Sequence, residues 1–171
     1  MTVVAWRGTD PASIERLALR SEPERIRAES TLESGGRRIR YSLELSPLWW
    51  FRSLLLRHGE RELRLERSHC TWRVDGERRD DLAAAVDIDL ALSPFTNTLP
   101  IRRLRLPVGA SAEIVTAYVS PDLAVQPDGQ RYTRLDARRY RYEALDGGFE
   151  REIEVDDEGL VVDYPGLFER A

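Results

Sequence analysis

The chain has 171 residues with 26 basic and 30 acidic side chains, and a formal net charge of −4. That length fits one domain, expected over residues 1–171, and the acidic balance argues against general nucleic-acid or anionic-membrane binding. A charged fraction of 33% beside a hydrophobic fraction of 42% excludes disorder and any apolar membrane-inserting span, and one cysteine, Cys70, excludes an internal disulfide. Every basic residue is arginine, scattered through the whole chain. The opening Met1-Thr2-Val3-Val4-Ala5-Trp6-Arg7-Gly8 has no basic start followed by an apolar run, so the expected compartment is the cytoplasm.

Turn signals recur along the chain at Gly35-Gly36, His58-Gly59, Asp75-Gly76, Pro127-Asp128-Gly129, Asp146-Gly147-Gly148 and Asp157-Glu158-Gly159. Between them polar and apolar residues alternate. Ile39, Tyr41, Leu43 and Leu45 fall opposite Arg38, Arg40, Ser42 and Glu44, and Ile153 and Val155 opposite Glu152 and Glu154. Period two with one polar face predicts antiparallel strands. They are expected over 13–20, 26–34, 37–46, 49–57, 61–67, 70–74, 83–92, 101–107, 112–120, 123–126, 130–135, 139–145, 149–155 and 160–164. At the first of these, Asp10-Pro11 could instead cap a short helix carrying Ile14, Leu17 and Leu19. More than ten strands cannot stay flat, because twist curls them over a core. The expected fold is all-β: a single strongly curved antiparallel sheet or incomplete β-barrel, with at most short helices. Such a sheet can enclose a hollow, although a short helix across the opening would fill the same space.

The densest polar constellation lies between Val86 and Leu104. Asp87 and Asp89 share a strand face and could bind a hard cation, work as acid and base on a glycosidic bond, or form a solvated or arginine-paired structural face. Arg102 and Arg103 are expected on opposite faces of the next strand, one reaching back to an aspartate as an ion pair or toward an anionic headgroup. Trp49 and Trp50 point apart on any strand, one into the core and one toward an edge or mouth. Tyr140 and Tyr142 alternate with Arg139 and Arg141, which separates the rings from the charges and argues against an RNA-stacking surface. No nucleophile elbow, phosphate-cradling loop or His-Glu-x-x-His site is present, so no catalytic residue, metal site or cofactor is expected.

The segment Asp87–Leu106, centred on Ser93-Pro94-Phe95-Thr96-Asn97-Thr98-Leu99-Pro100-Ile101-Arg102-Arg103-Leu104, resembles the signature of a bacterial family called putative glycolipid-binding, once a domain of unknown function. Gln130-Arg131-Tyr132-Thr133 and the ending Gly159–Phe168 look like its later motifs, and Trp6 and Ser30 fit its opening. Ser93 stands where the family usually has threonine, and Ala83-Ala84-Ala85 where a cysteine is frequent. The resemblance implies a fold similar to lipoprotein-carrier proteins and, as the leading expectation, a non-catalytic protein holding a lipid or glycolipid. The tail would lie near Trp50, Leu54 and Leu56, with the head near Asp87, Asp89, Asn97, Arg102, Arg103, Gln130 and Tyr132. A sugar- or lipid-acting hydrolase using the Asp-x-Asp pair is one alternative. A structural or interaction domain with a filled core, able to form a homodimer, is the other.

Overall fold

The computed structural model describes residues 1–9 and 11–171. Two meanders meet edge to edge. The first runs β1 (Thr2–Thr9), β2 (Ala12–Glu22), β3 (Arg25–Ser34), β4 (Arg37–Leu45), β5 (Phe51–His58), β6 (Arg61–Ser68), β7 (Thr71–Val74) and β8 (Glu77–Arg78). The second holds β9 (Asp87–Leu90), β10 (Ser111–Val119), β11 (Val125–Arg134), β12 (Arg139–Ala144), β13 (Glu150–Val155), β14 (Val161–Tyr164) and β15 (Phe168–Arg170). Pairing of β1 with β15 joins them into one fifteen-stranded sheet whose free edges are β8 and β9. Every pair is antiparallel except β9 with β10. The sheet is therefore all-β and unclosed, as the alternation predicts.

Residues 79–86 string together the two edge regions without a strand ladder. Arg79 N–H donates to Trp72 O, the Trp72 indole donates to Ala85 O, and Val86 N–H donates to Val115 O. The inner face carries the alternating apolar set. Leu17, Leu43, Leu45, Leu54, Leu56, Leu65 and Trp72 are essentially inaccessible, and Phe51 stacks on Trp72 with ring centroids 5.0 Å apart. Burying each such side chain contributes roughly 1.5–3 kcal/mol. Trp6 closes the seam between the meanders, its indole donating to Val161 O at 2.8 Å.

The single α-helix among the described residues, α1 (Thr98–Leu104), corrects the strand expected over 101–107. A 3-10 turn over Pro94–Asn97 leads into it, capped by Ser93, whose Oγ accepts from Phe95 N–H at 3.2 Å. A serine cap followed by proline at the first helical position is a helix start. Pro100 falls in the first turn of α1, where its missing N–H breaks no helical bond. Arg102 and Arg103 occupy the last turn, where cations suit the helix dipole, so they do not leave on strand faces. Phe95, Leu99, Pro100 and Ile101 are buried, and the turn and helix pack inside the curve of the sheet.

Other boundaries shift. Pro127-Asp128-Gly129 is no turn: β11 runs through it, because residues 125–129 pair with β10 alone and a strand with one open edge tolerates proline. Ala12–Glu22 is a strand rather than a helix, and Asp10, the expected cap, lies outside the described residues. Trp49 and Trp50 precede β5, with Trp49 in a left-handed conformation, buried, and Trp50 exposed. Among the described residues no helix is long and apolar enough to cross a membrane.

Candidate functional site

Short, buried β9 carries two aspartates with different partners. Arg103, from the last turn of α1, donates Nε and Nη2 to the two oxygens of Asp87 at 3.2 and 2.5 Å. The Arg103 guanidinium also lies over the Trp50 ring, 4.6 Å from its centroid. Burial pushes the Asp87 carboxyl up from its ordinary range, and the Arg103 contact opposes that. Asp87 is thus saturated by one arginine.

Asp89 meets no arginine among the described residues. Its Oδ1 accepts from Thr96 Oγ1 at 3.0 Å and its Oδ2 from Gln130 Nε2 at 2.7 Å. The same Gln130 amide donates to Asp128 Oδ2 at 3.0 Å, and its carbonyl oxygen is buried without a partner. Desolvation raises the Asp89 carboxyl, the Gln130 and Thr96 bonds lower it, and Asp128 raises it further.

Asp89 and Asn97 open into a recess of ≈ 340 Å³ at the end of the sheet. Five aromatic rings line it: Tyr118 from β10, Tyr142 from β12, Phe149 from the β12–β13 turn, Tyr164 from β14 and Phe168 from β15. Four of them form one cluster, with Tyr142 5.8 Å from Phe149 and Tyr164 6.4 Å from Phe168. Tyr132 backs the wall, edge-on to Tyr142 at 5.5 Å, and its hydroxyl donates to Asn97 Oδ1 at 2.8 Å. Burial and the Asp89 charge push the Tyr142 and Tyr164 hydroxyls up, so both are neutral donors.

A polar knot anchors the segment that forms the recess floor. Glu15 Oε1, buried on β2, accepts from Ser30 Oγ, Tyr41 OH and Ser93 Oγ at 2.6, 2.7 and 3.0 Å. Ser93 is the residue that caps the 3-10 turn, so Glu15 pins the turn to β2, β3 and β4. Burial raises the Glu15 carboxyl and the three hydroxyl bonds oppose the rise.

Of the residues singled out in the sequence, Asp89, Asn97, Gln130 and Tyr132 come together here. Asp87, Arg103 and Trp50 form a separate ion pair and stack beyond it. Arg102 lies over Trp49 at 5.0 Å and donates to Glu158 O at 3.0 Å. Leu54 and Leu56 are core residues that do not line the recess, each 1% exposed. The sequence reading did not single out Tyr118, Tyr142, Phe149, Tyr164 or Phe168 as site residues. The available signal was their crowding: seven of the ten Tyr and Phe residues lie beyond residue 117.

A curved all-β sheet wrapped around a short helix, with an aromatic recess at one end, defines the class of this protein. The family described as Putative glycolipid-binding matches residues 3–170, and the chain belongs to it. A crystal structure of a DUF1089 family protein from Pseudomonas aeruginosa is similar, with a TM-score of 0.77 and 38% identity over 93% of this chain and 92% of that one. No curated protein matches the chain.

Proposed function

We propose that the protein binds the sugar head of an amphiphile in the Asp89 recess, without chemistry. The observation that carries this reading is the pairing of five aromatic rings with one carboxylate and one amide around ≈ 340 Å³. Aromatic faces suit the apolar faces of sugar rings, and the carboxylate and amide accept hydroxyl protons and fix orientation. The volume is at the low end of the ~300–1,000 Å³ range of small-molecule sites, which suits a head better than a long chain. The buried packing around Leu54 and Leu56 favours a tail held outside the core.

A hydrolase using Asp87 and Asp89 as its pair is less well supported, because acid and base must each face the scissile bond. Both oxygens of Asp87 already face Arg103. Native mass spectrometry of protein purified without detergent, followed by organic extraction, tests the binding reading. A co-purifying glycolipid, or mass adducts with added alkyl glycosides, is the expected result. A bare mass throughout, with no adduct from any glycoside, would reject it.

A further inference from the structure

The chain has 26 basic residues, all arginine, yet none of them lines the recess. Elsewhere several carboxylates have taken arginine partners: Asp87 has Arg103, Asp156 has Arg170 and Glu143 has Arg131. Glu15, held by three hydroxyls instead, is closed inside the fold and does not line the recess. Asp89 has only neutral donors, Thr96 and Gln130. Its neighbour on the Gln130 amide, Asp128, also lacks a basic partner among the described residues. Arg151 lies over the Phe149 ring at 4.7 Å and does not itself line the recess.

A half-buried carboxylate without a counter-charge has its ionised form disfavoured, and a cationic ligand in the recess would restore that form and be held by it. Rings beside such a charge add to the attraction, since the π-faces of Tyr and Phe favour cations, most strongly ammonium groups out of water. From this we infer that the head taken by the recess carries an ammonium group, as an amino sugar does, seated between Asp89 and the rings of Tyr118, Tyr142 and Tyr164. This inference rests on the sugar-binding reading and narrows its ligand class. Burial first, and the nearby Asp89 charge second, push the titration of all three tyrosines up.

The test is an amide NMR titration of the full chain near neutral pH with glucosamine, glucose, N-acetylglucosamine and, separately, tetramethylammonium. Glucosamine is expected to bind about tenfold more tightly than the two neutral sugars, with shifts at recess residues. Asp89→Asn should bring the three sugars to parity. Equal affinity in the wild type would overturn the ammonium inference while leaving sugar binding intact. Recess shifts with tetramethylammonium alone would support the ammonium seat and reject the sugar reading. Silence toward all four would overturn both. Should D89N fail to fold, these wild-type comparisons still decide.

Discussion

Arg103 grips both oxygens of Asp87 from the last turn of α1, and this contact ties the helix to the edge strand of the sheet. Asp87 is inaccessible and the Arg103 side chain is 8% exposed, so water screens the pair little. Two residues along the same strand, Asp89 lacks any such partner. The pair therefore serves the fold, while Asp89 is held by the neutral donors Thr96 and Gln130 and opens into the recess.

Arg103→Ala leaves Asp87 buried and uncompensated, which typically costs about 3–5 kcal/mol. Urea denaturation should show that loss, and adding Asp87→Leu in the R103A background should recover part of it. Equal stability of R103A and wild type would mean the ion pair does not hold α1.

Gly159 lies at φ +76 in the turn before β14, and a Cβ there would come within 3.2 Å of Arg102 Cδ and 3.3 Å of Ile101 Cγ2. Gly109, at φ +85, faces open space. Gly159→Ala is therefore expected to destabilise by about 1–3 kcal/mol, and more than Gly109→Ala, which carries the backbone strain alone. Thermal melts of the two variants compare them directly, and an equal loss would show that α1 does not crowd this turn.

Glu15 titrates above its ordinary value of 4.5 because burial disfavours its charge. The folded chain thus holds this proton more tightly than the unfolded chain. Stability from it is complete below the ordinary carboxylate range and is lost as pH rises through the folded value, at up to about 1.4 kcal/mol per pH unit. Asp87 and Asp89 are raised too and slope the same way, so the measurement is a difference. The stability advantage of wild type over Glu15→Gln should shrink as pH rises from acid toward neutral. A constant gap would place the Glu15 titration at its ordinary value.

Leu54→Ala empties part of the core and should cost about 2–5 kcal/mol by denaturation. Glycoside affinity, measured where the variant is folded, should stay unchanged. A lost affinity with the fold intact would put the ligand in the core of the sheet.

Strands β3, β4, β6 and β12 were legible in the sequence because each buries one face and wets the other. Strand β1 was missed because Val3 and Val4 stand together, one exposed and one buried, and blur the alternation. β8 and β15 span two and three residues, too short to show a period. Helix α1 was hidden by Pro100 inside it and Pro94 in the turn before it, although Ser93-Pro94 marks a helix start. The Asp89–Gln130 contact could not be read at all, since it spans 41 positions and depends on the placement of β9 beside β10 and of β11 beyond it. The aromatic wall likewise exists only once β10, β12, β14 and β15 curve toward one point.

The most direct test of the central claim is an amide NMR titration with a short-chain alkyl glycoside below its micelle concentration. The account predicts shifts concentrated at Asp89, Asn97, Tyr118, Tyr142 and Tyr164, with β5 and β6 undisturbed. Shifts concentrated around Leu54, Leu56 and Leu65 would contradict it.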